Sequence, residues 1–167
     1  MIQEVKRNYL EINSLEDLNE GSRPTSDYSL NLLDPINFQL NKFFYKNIGN
    51  KHNWVDRLIW NEERWINYVS NENVKTYVLK YKDDLVGFFE LIYHHENKEI
   101  EIAYLGILEE YHNKKLGSYL LSEAIKESFK NKINRVWVHT CTLDHKNALN
   151  NYMTRGMKIF KTETINI

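Results

Sequence analysis

Residues 99–121, EIEIAYLGILEEYHNKKLGSYLL, decide the fold, because they pass from a strand through a cationic turn into a helix with no linker between them. Ile100, Ile102, Tyr104, Leu105 and Ile107 carry the part-alternating, part-continuous apolar pattern of a largely buried strand. From Leu116 the period changes to that of a helix, with Leu116, Leu120, Leu121, Ala124, Ile125 and Phe129 on one face. His112–Lys115 therefore lies at a helix N-terminus. Free backbone N–H groups and the positive end of the helix dipole point out of such a turn, and Lys114, Lys115 and His112 add charge suited to a phosphate.

The flanking segments supply the rest of the domain. Val5–Ile12 reads as a first strand, and Tyr28–Leu33 is a further apolar run whose pairing the sequence does not give. Asp34-Pro35 opens a predicted helix with Ile36, Leu40, Phe43 and Phe44 on one face, ended by Gly49. Asn61 is the predicted N-cap of a second helix facing inward through Trp65, Ile66 and Val69. Val74–Tyr81 and Leu85–Tyr93 form a predicted hairpin. After the long helix come a strand at Arg135–Thr140, a helix at about Lys146–Arg155 and a strand near Lys158–Thr162. The expected order is β, α, α, β, β, β, α, β, α, β. Strands that are mostly antiparallel, joined late by one β-α-β crossover, predict an α+β domain: a twisted mixed sheet with helices on both faces.

Composition narrows the function. The 167 residues, 42% hydrophobic with a formal charge of −1, predict one domain with a sizeable core. No apolar run is long enough for a membrane span and the N-terminal stretch lacks the apolar core of a signal peptide, so the expectation is a cytoplasmic protein without a membrane partner. Near-neutral charge argues against nucleic acid. Cys141 is the single cysteine, so no internal disulfide or all-cysteine metal site can form, and no metal is expected.

The succession of strand, EEYHNKKLG turn, long helix, RVWVHT strand and a helix ending NNYMTRGM resembles the GCN5-related N-acetyltransferases over roughly residues 74–161. The phrases FFELIY, EIAYLGI and RVWVHTCTLDHKNAL resemble one subgroup of uncharacterised acetyltransferases. The resemblance implies acetyl-CoA as cosubstrate. It places the pantetheine arm and an oxyanion-facing N–H at Ile107 and Leu108, and the phosphates at His112, Asn113, Lys114, Lys115, Leu116, Gly117 and Ser118. Lys115 stands where the family has its first turn glycine, and His145 where it often has a cofactor-binding Asn. The resemblance also implies Tyr152, four residues before Gly156, as proton donor. A phenol with pKa near ~10 can protonate a thiolate of reference pKa ~8.5.

The acceptor side is open to more than one reading. His139 lies near the place of a basic carboxylate in some relatives and would suit proton removal near neutrality; equally, it would sit hydrogen-bonded in the interior, with Thr142 or Asp144 capping the next helix. Glu90 and Glu101 are carboxylates inside apolar strands, facing either a cationic substrate in the cleft or solvent, and they are the alternatives to His139 as the catalytic base. Trp54, Arg57, Trp60, Glu62 and Tyr104 are candidates for walling an alkylammonium, with core packing as the alternative. The expected activity is acetyl transfer to a small-molecule primary amine by a monomer or homodimer. A protein N-terminal or lysyl acetyltransferase and a non-catalytic acyl-CoA sensor are the alternatives.

Overall fold

The computed structural model describes residues 2–166. Seven strands, β1 (Glu4–Ile12), β2 (Tyr28–Leu32), β3 (Val74–Tyr81), β4 (Asp84–His94), β5 (Glu99–Ile107), β6 (Arg135–Cys141) and β7 (Lys158–Asn166), form one sheet in the order β2-β3-β4-β5-β6-β1-β7. All pairings are antiparallel except β5 with β6. Four helices accompany them: α1 (Phe38–Gly49), α2 (Glu62–Ser70), α3 (Leu116–Phe129) and α4 (Ala148–Thr154). Among the described residues no helix is long and apolar enough to cross a membrane.

Two cores follow from β4, whose residues Val86 to Leu91 are all buried as in a central strand covered on both sides. On one face Leu120, Leu121, Ala124 and Ile125 of α3 meet Phe89, Ile100, Ile102 and Val138. Full burial of Leu120, Leu121 and Ile125, each 0% exposed, contributes roughly 2 kcal/mol apiece. On the other face Phe44 and Ile48 of α1 pack on Val78, Phe88 and Leu108, with the Phe44 and Phe88 rings stacked at 4.9 Å.

The structure revises three expectations. Tyr28–Leu33 contributes a seventh strand, β2, paired with β3. Helix α1 begins at Phe38, capped by Asn37, whose side chain accepts from the Gln39 amide at 3.1 Å; Asp34-Pro35, a cis peptide, precedes the helix. The start three residues beyond Pro35 leaves Ile36 outside the helix, and the face that packs inward is Asn41, Phe44, Tyr45 and Ile48, with Ile36 53% and Phe43 39% exposed. In α2 the Asn61 cap holds, but Ile66 faces outward and Tyr68 turns in, because its hydroxyl meets a buried carboxylate. The pairing of β1, which the sequence leaves open, is with β6 on one side and β7 on the other, Tyr9 facing both His139 and Lys161.

Candidate active site

The parallel pairing of β5 with β6 stops after three residues, Glu99–Glu101 against Arg135–Trp137, and the strands then part. A cleft of about 570 Å³ opens where they separate. Its lining runs from Ile102 to Ile107 along β5, across the 111–118 turn, down α4 and back along Val138, His139 and Cys141 of β6. Parting exposes backbone. The Leu108 amide donates to the Val86 carbonyl at 2.8 Å, so alternation turns the Ile107 amide to the open side. Leu108 is buried outside the lining, and of the two residues expected here only Ile107 can offer an N–H to a ligand.

The turn keeps the shape that a glycine would give it. Lys115 adopts a left-handed backbone, φ 61° and ψ 19°, directly before α3, and no side chain caps the helix. The first amides of α3 are thus left to an external acceptor. A Cβ at Gly117 would meet nothing nearer than Asn151 Nδ2 at 3.9 Å, so the approach is open. Asn113, Lys115, Leu116, Gly117 and Ser118 line the cleft; Lys114 is exposed beside it. His112 lines the cleft as well, and its Nε2 lies 2.9 Å from the Ile107 carbonyl, to which it can only donate, tying the turn to the end of β5. These features fit the diphosphate and amide-rich arm of acetyl-CoA.

Tyr152 projects from α4 into the same cleft with 8% of its surface exposed. Its hydroxyl makes no hydrogen bond among the described residues. Burial, and then the charge of Asp144, raise its pKa well above the phenolic value, so it holds its proton at neutral pH. Asn151 anchors α4 to the turn through a 3.2 Å bond to the Gly117 carbonyl. Gly156 ends the segment at φ 110°, where a Cβ would collide with the Asp17 carbonyl oxygen.

At the other end of the cleft, side chains from four segments converge: Arg7 of β1, Trp54 and Asp56 of the loop between α1 and α2, Tyr104 of β5, and His139 of β6. Trp54 and Tyr104 meet edge to face at 4.7 Å. Asp144 holds Trp54 through a 3.1 Å bond from Nε1 and accepts from Thr140 Oγ1 at 2.6 Å, so it braces this end instead of capping α4. His145 performs the local capping, with Nδ1 accepting from the Asn147 amide at 3.1 Å. His145 also lines the cleft, its ring between those of His52 at 5.6 Å and His112 at 5.3 Å. Burial, then neighbouring charge, keeps the His145 pKa below the ordinary histidine value. His139 opens to solvent within the cleft, yet the walls around it and, next, the Arg7 cation also hold its pKa below that value, against Glu101, Asp144 and Asp56. It is therefore neutral near pH 7. Asp56 has no hydrogen-bond or ion-pair partner among the described residues, and neither Asp56 nor Arg7 stood out in the sequence.

The expected aromatic box exists, but the cation inside it is the protein's own. Arg57, 6% exposed, lies 4.2 Å from the Tyr68 ring, 4.4 Å from Tyr104 and 4.8 Å from Trp60. Its guanidinium pairs with Glu90 at 3.0 Å, and Glu90, 0% exposed, also accepts from Tyr68 at 2.6 Å and Asn41 at 2.9 Å. Burial works against the Arg57 charge, but Glu90, Tyr68 and Tyr104 outweigh it. Glu90, Arg57 and Trp60 are consequently a buried support and not cleft residues, and Glu62 is exposed in the first turn of α2. Glu101 is likewise off the cleft, bonded to His94 at 3.0 Å. An unpaired Ala103 sets the parity: Glu90 opposes Tyr104 and Ile92 opposes Glu101, so the two residues share one face of β5, and of them only Tyr104 reaches the cleft. Among the described residues no group of three His, Cys, Asp or Glu is arranged to hold a metal ion.

A family model described as the acetyltransferase (GNAT) family matches residues 37–157. No curated protein matches the chain. Among solved structures, a GCN5-related N-acetyltransferase from Sphaerobacter thermophilus superposes with a TM-score of 0.73 at 14% identity, covering 97% of this chain and 50% of its own. One from Kribbella flavida gives 0.68 at 13% identity, covering 99% and 58%. An aminoglycoside acetyltransferase from an uncultured soil metagenomic sample, in complex with trehalose, gives 0.63 at 13%, covering 77% and 86%. The chain thus spans half to three fifths of the first two, and at these identities the likeness is one of fold.

Proposed function

The chain belongs to the GNAT acetyltransferase family, and from that premise we propose that it transfers the acetyl group of acetyl-CoA to a primary amine, with a small molecule as acceptor. The observation that carries this reading is Tyr152: a buried phenol, kept protonated and without a protein partner, in a cleft whose opposite edge is the free backbone of β5.

In the proposed reaction a bond forms between the amine nitrogen and the acetyl carbon as the carbon–sulfur bond breaks. His139, neutral and reached by solvent, takes the proton that the ammonium must lose before or during attack. The Ile107 amide receives the charge that develops on the carbonyl oxygen. Tyr152 gives its proton to the departing sulfur. The turn at Lys115 and the uncapped amides of α3 hold the phosphates, while Trp54 and Tyr104 shield the amine from water.

The test is release of free thiol from acetyl-CoA with a panel of amines, for wild type and Tyr152→Phe. The phenylalanine variant, whose ring still packs, is expected to lose about 10²- to 10⁴-fold in kcat with acetyl-CoA affinity retained. Full activity in that variant would remove Tyr152 as the acid.

A further inference from the structure

Two arginines of the cleft lining, Arg155 at the end of α4 and Arg7 of β1, each carry a buried Nε with no hydrogen-bond partner, and Arg7 is the one that stands at the acceptor end. Its Nη1 lies 3.6 Å from Glu163 Oε1, beyond good hydrogen-bond length, and that oxygen already accepts from the Tyr9 hydroxyl at 2.7 Å. A guanidinium has five donors in a planar fork, and leaving the buried one, Nε, unspent is costly enough to call for a reason. The other basic groups at the acceptor end leave the role of anion partner to Arg7: His139 and His52 are both held toward their neutral forms by burial, and Arg57 is already paired with Glu90.

Register places Arg7 beside the proposed chemistry. On β1, Arg7 opposes Cys141 and Tyr9 opposes His139, so Arg7 and His139 share one face of the sheet a single pair-step apart, about 7 Å along the strand. Across the cleft stand the unpartnered Asp56 carboxylate and the Trp54 and Tyr104 rings. One end of the cleft therefore offers an acidic and aromatic side for an ammonium and a separate arginine fork for an anion. An arginine fork matches a carboxylate in shape and charge.

We propose that the acceptor is an amine that also carries a carboxylate, an amino-acid-like zwitterion, with Arg7 binding the carboxylate while Asp56 and His139 receive the amine. This rests on the acetyl-transfer reading above and names its substrate class. Free amino acids and short peptides ending near the reactive amine share this chemistry; a bare polyamine or an amino sugar does not.

The experiment uses matched pairs, each an amino acid and the amine left by its decarboxylation: lysine and cadaverine, ornithine and putrescine, phenylalanine and phenethylamine. For wild type, kcat/KM with at least one amino acid is expected to exceed that of its paired amine by about 10- to 100-fold, the worth of a charge-assisted contact. In Arg7→Met that ratio collapses toward one through a higher KM for the amino acid, and Arg7→Lys restores part of it. Lys158→Met, which removes an exposed cation from the same half of the sheet, keeps the wild-type ratio. Amines turned over with no preference for the carboxylate overturn this proposal and leave acetyl transfer standing. Thiol release with no amine of either kind overturns both. The wild-type ratio needs no variant, so misfolding of Arg7→Met cannot shield the idea.

Discussion

Arg57 and Arg7 both lie next to the acceptor end of the cleft, and their surroundings are opposite. Arg57 is sealed under the α1–α2 segment among aromatic rings, with Glu90 as counter-ion and Tyr68 and Asn41 completing that carboxylate. Arg7 reaches the cleft with one long contact and an unfilled donor. A cation whose partners are all supplied by the fold belongs to the fold, whereas a cation left short of partners beside a cavity is available to a ligand. Tyr104 joins the two regions, since one side of its ring meets Arg57 and it also lines the cleft.

The sharpest break of this contrast is Arg57→Met. Removing the guanidinium strands Glu90 in a site with no solvent access, and a loss of about 3–5 kcal/mol in unfolding free energy is expected from urea titration. Adding Glu90→Leu should recover a large part, because both charges then leave together. A single-variant loss below about 1 kcal/mol would mean that the box does not depend on its cation.

The second effect is electrostatic and has a defined sign. His139 acts as a base only when neutral, so kcat/KM should fall as pH drops through its pKa, which burial and Arg7 place below the ordinary histidine value. Arg7→Met removes a positive charge that disfavours the imidazolium; the limb should move to higher pH. Asp56→Asn removes a negative charge that favours it, and the limb should move to lower pH. Glu101 and Asp144 face the ring from β5 and the loop after β6, and remain in both variants. A limb unmoved in either pH-rate profile would separate His139 from the measured base.

Lys114 and Lys115 extend the contrast to the cofactor end. Both are exposed and form no ion pair among the described residues, and like Arg7 they keep donors that the fold does not fill. Replacing both by Ala is expected to weaken acetyl-CoA binding by about 3- to 10-fold and to flatten its salt dependence, read by calorimetry at two ionic strengths. Unchanged affinity would leave phosphate binding to the α3 amides alone. The smallest effect expected is the stability of Arg7→Met itself, within about 0.5 kcal/mol of wild type in the same urea titration, as for residues without a completed partner set.

Local segments were readable in the sequence and assembled ones were not. The strand, turn and helix of 99–121 are contiguous, so the cofactor end followed from a change of period and a run of cationic residues. The left-handed Lys115 could not be read, because a lysine carries no sign of positive φ. Glu90 was recognised as a carboxylate needing a partner, but Arg57 lies 33 residues away and reaches it only through the α1–α2 fold. The unpaired Ala103, which brings Tyr104 onto the same face of β5 as Glu101, has no sequence signature. Arg7, Tyr9 and Glu11 alternate with Asn8, Leu10 and Ile12 and so mark one polar face, yet nothing in that alternation says that the strand lies beside β6.

The place of β1 between β6 and β7 sets an order of assembly. Tyr9 and its partner Glu163 are separated by 154 residues, so docking this strand closes nearly the whole chain into a loop and must wait for the strands on both sides of it. The phosphate turn, by contrast, is built from neighbours in sequence and can form as soon as α3 packs on β4 and β5. A partly folded chain would then own a cofactor end before it owns Arg7, and the wall that selects the acceptor would be the last part of the cleft to arrive.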